Sequence, residues 1–141
     1  MLLEIACQCT MIKISKLADY GTVIMAYLAQ NPAQSHNARE IAAATHIALP
    51  TVSKLLKQFA RAELAVSLRG PKGGYTLKTP AEKLSLAMIV KAVDGQIALT
   101  ECSHTKGMCA VENTCAIRRS FRNVSSVVNE VLSKVTLAEM L

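Results

Sequence analysis

The sequence predicts a mainly α-helical protein that carries one small β-hairpin and a long C-terminal helix. Three observations support this fold class. Apolar residues recur at helical spacing in several stretches before residue 100. Two short alternating segments flank a tip rich in glycine and proline between Ala65 and Leu77. After Ala116, apolar residues repeat every three or four positions, which is typical of one long amphipathic helix.

Three helices are predicted ahead of the hairpin. The first runs from Ser15 to Gln30 and ends at Asn31-Pro32, because the residue before a proline disfavours helical backbone. The second begins at residue 37 or 38 and continues to about residue 45, and Pro50 suits the first turn of the third. Three short helices with a tight turn before a polar-faced third helix predict a helix-turn-helix, whose third helix enters the major groove of DNA. The outer face of that helix presents Thr51, Ser53, Lys54, Lys57 and Gln58.

The segment 65–77 extends this plan into a winged helix-turn-helix, because a basic hairpin directly after a recognition helix makes a wing. Arg69 is placed to enter a minor groove, where a narrow and electronegative channel favours a guanidinium. Gly70, Gly73 and Gly74 would let the backbone approach phosphate, although a loop that merely turns the chain needs glycine as well. We expect double-stranded DNA to be contacted by Thr51, Ser53, Lys54, Lys57, Arg69, Gly70 and Lys72.

The basic residues are concentrated where these elements lie. The net charge is +6, and six basic residues between Lys54 and Lys78 are opposed only by Glu63. Such a segment can be the electrostatic footprint of a phosphate-binding face. The charge alone favours a solvated lysine-rich surface, so the case for DNA depends on the helices and hairpin beside it.

The sequence argues against several other classes of protein. It has no glycine-rich nucleotide loop, no paired carboxylates and no Cys/His/Asp set with plausible catalytic roles, so we do not expect an enzyme. No apolar run approaches the roughly 18 residues of a membrane span. The first ten residues contain Glu4 and no basic leader, which is unlike a secretion signal. We therefore expect a cytoplasmic protein.

Three cysteines form a cluster with the spacing Cys102-x6-Cys109-x5-Cys115. The segment 100–115, called the cysteine segment below, has no helical or strand periodicity and is predicted to be a loop. Thiolates bind iron–sulfur clusters, whereas zinc sites usually show tighter cysteine pairs. The spacing leaves a metal site, a thiol switch and inert cysteines open. The nearby candidates for a further ligand are Glu101, His104 and Glu112, while Cys7 and Cys9 are more remote.

The C-terminal helix carries an apolar seam with successive spacings of 4, 3, 4, 3 and 4. A heptad seam of this regularity favours a partner helix, hence a homodimer, which would read two half-sites of DNA. The alternative is a helix that packs on its own domain. The seam consists of Ile117, Phe121, Val124, Val128, Val131 and Val135.

These elements suggest five parts along the chain. An N-terminal extension (1–10) precedes the winged helix-turn-helix domain (11–80). A connecting helix follows within 81–99, formed by Leu84 to Val93 and closed by Asp94-Gly95. The cysteine segment and a dimerisation helix (116–141) complete the chain.

Three motifs resemble one family of bacterial regulators. They are Ile14–Tyr20 at the start of the first helix, Arg69–Tyr75 in the wing, and the three-cysteine loop ahead of a long helix. In this order they are similar to the Rrf2 family, from about Ile12 to the C-terminus. Leu49–Lys54 and Ile97–Cys102 look most like the members that regulate the SUF operon of iron–sulfur cluster assembly.

The resemblance implies a homodimer with one 2Fe-2S cluster, or in some members a 4Fe-4S cluster, in each subunit. Cys102, Cys109 and Cys115 match the family's three cysteine ligands. Arg118 stands where some members place a histidine ligand, and a guanidinium cannot serve. Asp19 occupies the position from which other members supply an aspartate ligand to the opposite subunit, although it could equally be an ordinary surface carboxylate.

The resemblance also implies a function. We expect a transcription regulator, and specifically a repressor, of iron–sulfur cluster assembly genes that senses through its cluster. The alternative is a metal-free thiol/disulfide or nitric-oxide responsive regulator of the same fold. Ser53 stands where one member has a glutamate that discriminates promoter classes, so the operator sequence cannot be carried over.

Overall fold

The computed structural model describes residues 12–104 and 106–141. The predicted extension at residues 1–10, with Cys7 and Cys9, lies outside the described residues. The helices are α1 (Lys16–Gln30), α2 (Ala38–Thr45), α3 (Leu49–Arg61), α4 (Leu86–Asp94), α5 (Glu101–His104) and α6 (Arg118–Lys134). The strands are β1 (Ala65–Leu68) and β2 (Gly74–Leu77), and single 3-10 turns occupy Ala81–Lys83 and Ala138–Met140.

Local side-chain chemistry sets the helix ends close to their predicted positions. The Ser15 hydroxyl accepts a hydrogen bond from the Ala18 amide at 3.0 Å and caps α1. The Asn37 side chain caps α2 in the same way, through the Glu40 amide at 2.9 Å. Pro50 lies in the first turn of α3, where its missing N–H costs nothing.

The main core forms where the inner faces of α1, α2 and α3 meet. Phe59 of α3 is fully buried at this junction, and the absence of a side chain at Gly21 lets α1 approach its ring closely. Burying a side chain of this size contributes about 1.5–3 kcal/mol to stability. The rest of this core includes Ile24, Met25, Leu28, Ile41, Val52, Leu55, Leu56, Leu84, Ile89 and Leu137.

The predicted hairpin is present and directly follows α3. Strands β1 and β2 pair antiparallel, with Ala65 opposite Leu77 and Leu68 opposite Gly74. Three packed helices followed by a two-stranded hairpin confirm the predicted mainly α, winged helix-turn-helix fold class. Within the described residues, no helix is long and apolar enough to cross a membrane.

The C-terminal helix ends at Lys134, one residue before the last seam residue and short of the predicted dimerisation helix (116–141), because the chain then returns to the core. The Val135 carbonyl accepts a hydrogen bond from the Leu86 amide at 2.9 Å. The Leu137 amide donates to the Leu84 carbonyl at 2.7 Å, and the Leu137 side chain is fully buried. These tertiary contacts replace the hydrogen bonds that would have continued the helix to residue 141.

Helix α6 packs on its own domain along one edge and leaves most of the predicted seam exposed. Leu132 and Val135 pack against a second, small core at Val90, and Val128 is half-buried. Val131 remains 55% exposed. The exposed apolar face of α6, called the α6 face below, consists of Ile117, Phe121, Val124, Val127 and Val131.

Candidate nucleic-acid interface and cysteine segment

Helix α3 has a polar and basic outer face and a buried, apolar inner face. Lys54 and Lys57 are exposed, whereas Thr51 and Ser53 are half-buried beside them. The inner side chains of the helix are fully buried, so packing fixes the orientation of the outer face. One shallow groove on that face is lined by Pro50, Ser53, Lys54, Lys57, Gln58 and Arg61, and no carboxylate contributes to it.

The wing exposes its predicted contact residues, Arg69, Gly70 and Lys72. The backbone of the hairpin itself explains why glycine occurs at positions in this wing. Gly70 has a φ of +112°, which suits glycine, and open space where a Cβ would lie. A Cβ on Gly73 would lie 2.5 Å from the Leu68 carbonyl oxygen. Close approach to phosphate is therefore not needed to explain these residues.

The wing is seated on the segment between α1 and α2, a feature that the sequence analysis missed. The His36 amide donates to the Tyr75 carbonyl at 3.1 Å, and the Tyr75 amide donates to the His36 carbonyl at 2.8 Å. The Ser35 hydroxyl donates to the Lys72 carbonyl at 2.6 Å, closer to the tip. Gly74 permits this approach, since a Cβ there would lie 2.6 Å from the His36 backbone.

The His36 ring is buried in a small polar network. Its Nδ1 lies 2.7 Å from a carboxylate oxygen of Glu40, and its Nε2 lies 3.0 Å from the Asn31 carbonyl oxygen. The hydrogen bond with His36 is the main reason that the pKa of Glu40 is lowered. Burial, with the nearby Glu40 charge, raises the pKa of Tyr27. The sequence signal for this network was the i,i+4 spacing of His36 and Glu40.

The cysteine segment is not the unbroken loop that the sequence analysis predicted, because Glu101–His104 form one short helix, α5. The Thr100 hydroxyl lies 3.2 Å from the Cys102 sulfur and 2.8 Å from the Ser103 hydroxyl, which orders the start of that turn. Cys102 is buried, and Cys109 and Cys115 are half-buried. All three are free thiols in this structure.

A buried carboxylate ties the cysteine segment to α6. Glu112 pairs with Arg118 at 3.3 Å and with Arg122 at 3.2 Å, and it also accepts the Gly107 amide. Arg122 donates from Nε to the Cys102 carbonyl at 2.9 Å, so one guanidinium bridges both ends of the segment. Glu112 is thereby engaged by arginines and is not free to act as the further metal ligand. We call these four residues, Cys102, Glu112, Arg118 and Arg122, the arginine node.

In this arrangement the described residues are not grouped as a metal-ion site. Three thiols are suitable donors chemically. Yet within residues 12–104 and 106–141, no three or more His, Cys, Asp or Glu side chains are grouped so that they could hold a metal ion. Asp19 is exposed in the first turn of α1.

A helix-turn-helix with a basic outer face and a hairpin wing defines the class of winged-helix, DNA-binding transcription regulators. Within that class the chain belongs to the Rrf2 family, which is described as an iron-dependent transcriptional regulator and matches residues 14–141. The predicted family is thus confirmed.

Similar proteins agree with this assignment. The chain is 32% identical over 96 residues to an HTH-type transcriptional regulator of Neisseria meningitidis, covering 68% of this chain and 64% of that protein. It is 33% identical over 95 residues to the HTH-type transcriptional regulator IscR of Vibrio vulnificus, covering 67% of this chain and 56% of that one. These matches thus span less than two thirds of either relative. Because both are named as regulators, the comparison favours a chain that is not an enzyme.

Solved structures share the fold over most of the chain. The global cysteine regulator CymR of B. subtilis has a TM-score of 0.72 at 26% identity, covering 92% of this chain and 96% of that one. T. potens IscR has a TM-score of 0.68 at 25% identity, covering 92% and 85%. The oxidised form of Staphylococcus aureus CymR has a TM-score of 0.63 at 27% identity, covering 92% and 95%.

Proposed function

We propose that this chain is a homodimeric, cytoplasmic repressor that binds double-stranded DNA and controls genes of iron–sulfur cluster assembly. The observation that carries the DNA-binding part is the exposed basic face of α3 beside the exposed wing. The likeness of Leu49–Lys54 and Ile97–Cys102 to regulators of the SUF operon supports the target genes.

Each part of the interface has a distinct task in this proposal. The α3 lysines, Lys54 and Lys57, neutralise phosphates, which supplies affinity without sequence preference. Thr51 and Ser53, which have shorter side chains and precede the lysines on α3, hydrogen-bond to base edges in the major groove. Arg69 enters the adjacent minor groove from the wing.

A second copy of the chain covers the α6 face. Phe121 and Val124 lie on the same exposed side of α6, and another edge of the helix packs on its own domain. An exposed apolar area of this kind is typical of a contact with another protein chain. An apolar pocket that includes Ile14, Val90 and Ile97 opens beside it and extends the apolar surface. Pairing of α6 helices would give the dimer two recognition helices, and dimers of this kind bind half-sites about 34 Å apart, one turn of DNA.

The cysteine segment is the proposed sensor, with an iron–sulfur cluster as the first candidate for what it senses. The family's description as iron-dependent supports iron, and three thiols on one short segment are the donors that iron–sulfur clusters use. Bound there, a cluster would supply a centre that responds to iron supply and oxidants. Because Cys102 lies on α5 and Glu112 is paired with arginines, cluster binding requires the segment to change conformation.

A metal-free thiol switch is the second candidate. The described part of the segment carries three free thiols. A relative of the same fold, S. aureus CymR, has been solved in an oxidised form. A disulfide needs only two of the three cysteines.

Anaerobic purification separates the two candidates. The cluster proposal predicts a coloured protein with iron and acid-labile sulfide, and loss of both when Cys102, Cys109 or Cys115 is replaced singly by serine. A colourless, iron-free protein from anaerobic cells would overturn it. The switch predicts instead that one of the three replacements leaves the redox response of DNA binding intact.

A further inference from the structure

One side of α6 carries three polar residues that hold the cysteine segment. Arg118, Arg122 and Ser125 follow one another at spacings of four and three, so they lie on the same side of the helix. The two arginines pair with Glu112, and the Ser125 hydroxyl accepts a hydrogen bond from the Leu99 amide at 3.1 Å. We call these three residues of α6 the polar stripe. Through it, α6 holds the cysteine segment from just before its first residue to near its last.

Arg122 is the central member of the polar stripe and contacts both ends of the segment. Its Nε donates to the Cys102 carbonyl at 2.9 Å, and its Nη2 donates to Oε1 of Glu112 at 3.2 Å. A guanidinium can form this bridge because its donors are fixed in one plane and point in different directions. Glu112 is only 7% exposed. Loss of Arg122 would therefore leave the Cys102 carbonyl without this donor and the buried carboxylate with one donor fewer.

The carbonyl that Arg122 holds belongs to the buried cysteine of the segment. Cys102 is 7% exposed, and its sulfur lies 3.2 Å from the Thr100 hydroxyl. A buried thiol reacts with a reagent in solution only when the structure around it opens. Cys102 lies on α5, a helix of four residues, and a helix this short has little stability of its own. The hydrogen bond from Arg122 therefore opposes the opening that would expose this thiol.

We propose that Arg122 is a positioning residue that controls access to the Cys102 thiol and links that thiol to α6. While the bridge is in place, Cys102 stays buried. A reagent or ligand that takes up the thiol must draw Cys102 out of its place, and this movement breaks the hydrogen bond from Arg122.

The polar stripe lies beside the α6 face, which gives the bridge a route to the proposed dimer contact. Phe121 directly precedes Arg122, and Val124 directly precedes Ser125, so each pair is separated by about 100° around the helix. Release of Arg122 thus frees a side chain next to the surface that we propose for pairing. The meaning of this link for sensing rests on the proposed function, whereas the control of thiol access does not.

Labelling of the metal-free full chain with N-ethylmaleimide tests the control of access. Mass spectrometry of the peptide that contains Cys102 gives the labelling rate. Arg122→Ala should raise this rate roughly tenfold or more, which is the effect of losing a hydrogen bond to a charged group. The matched control is Arg119→Ala, which changes an exposed arginine of the same helix and should leave the rate almost unchanged. A native rate at Cys102 in Arg122→Ala overturns the proposal.

Arg122→Lys separates the bridge from the charge. Its compact ammonium group can pair with Glu112, but it lacks the second, fixed donor directed at the Cys102 carbonyl. We expect Cys102 in this variant to be labelled about as fast as in Arg122→Ala, with an unchanged urea midpoint of unfolding. This variant decides the question if Arg122→Ala does not fold. A native labelling rate in Arg122→Lys would show that charge alone is sufficient, and the bridge would be refuted.

Nuclear magnetic resonance of the arginine Nε–H groups tests the link in the other direction. In a chain whose other four cysteines are replaced by serine, the reagent labels Cys102 alone. Labelling should shift the Arg122 Nε–H signal and speed its exchange with water, because the Cys102 carbonyl no longer accepts from it. The Arg119 signal is the control, and an Arg122 signal that stays unchanged contradicts the link. Neither measurement needs a cluster or DNA, so failure of this proposal and failure of the proposed function are told apart.

Discussion

At the scale of single residues, two buried residues connect separate parts of the chain. His36 joins the helices to the wing through its backbone, and Glu112 joins the cysteine segment to α6 through its side chain. The exposed cations differ from these residues, because we expect them to contact another molecule, DNA, and not other parts of the chain. Arg69, and Glu40 as the partner of the buried His36 ring, allow one prediction each.

Replacing Arg69 with alanine should weaken binding to a specific promoter fragment and lower the slope of log affinity against log salt by about one. The reason is the loss of one groove or phosphate contact from the wing. Binding titrations at several salt concentrations measure both quantities. Lys134→Ala, which removes a cation of α6 that is paired with Glu130 at 2.6 Å, is the control and should leave the slope almost unchanged. An unaltered slope for Arg69→Ala would remove the wing from the interface.

Glu40 makes stability depend on pH in a known direction. Its pKa is lowered in the folded protein, chiefly by the hydrogen bond with His36, from an ordinary value of 4.5. The carboxylate therefore stabilises the fold fully above pH 4.5, and this contribution is lost as pH falls through the lower, folded value. Urea unfolding of the native protein and Glu40→Gln should show a difference in unfolding free energy at pH 7 that shrinks toward zero below pH 4.5. A difference that persists into strong acid would contradict the pairing.

At the scale of elements, different parts of α6 have different surroundings. One edge packs on α4 through Leu132, and the N-terminal end holds the cysteine segment through Arg118 and Arg122. The α6 face is exposed. This arrangement places the proposed sensor and the proposed dimer contact on the same helix. A change in the cysteine segment can then alter α6 directly.

Breaking the arginine node should loosen the cysteine segment while leaving the DNA-binding core intact. Glu112→Gln leaves two partly buried guanidiniums without their carboxylate, which is unfavourable. Hydrogen exchange should show faster exchange at residues 106–115 and little change in α1 to α3. The matched control is Glu130→Gln on α6, an exposed i,i+4 partner of Lys134 whose loss should have little effect. Equal protection in the native protein and Glu112→Gln would show that the node does not order the segment.

At the scale of the whole molecule, the described residues pack around a common core and leave the α6 face exposed. The helix-turn-helix and wing form one core with α4 and with Leu137 from the C-terminal return. A single copy presents a single recognition helix, and two copies would present a symmetric pair.

Charge on the α6 face should prevent pairing without unfolding the subunit. Val124 is 49% exposed, so Val124→Asp adds little strain within the chain, yet it would bury a carboxylate between two helices. Sedimentation should give monomers, with weak binding to a two-half-site operator. Ser126→Asp, at an exposed position on the other side of α6, is the control and should remain a dimer. Dimers of Val124→Asp would show that α6 is not the contact.

The sequence predicted the elements well where the signals are local. Helical spacing, the Ser15 and Asn37 caps, Pro50 and the glycine-rich hairpin tip all act within a few residues, so α1 to α3 and the wing lie close to their predicted bounds. The motifs at Ile14–Tyr20 and Arg69–Tyr75 also indicated the family correctly. The DNA-contacting residues remain a prediction; Thr51 and Ser53 are half-buried, and the other five are exposed.

Only the tertiary structure decided the features that depend on residues far apart in the chain. A heptad pattern could not show that Leu137 would end the helix by returning to the core. Cysteine spacing could not show that Glu112 forms ion pairs with arginines, or that Cys102 lies within a helical turn. The sequence by itself determined a winged helix-turn-helix, because local periodicity and turn chemistry specify it. What holds the wing and the cysteine segment was decided by buried polar contacts, since a buried group must find its partners wherever the fold brings them.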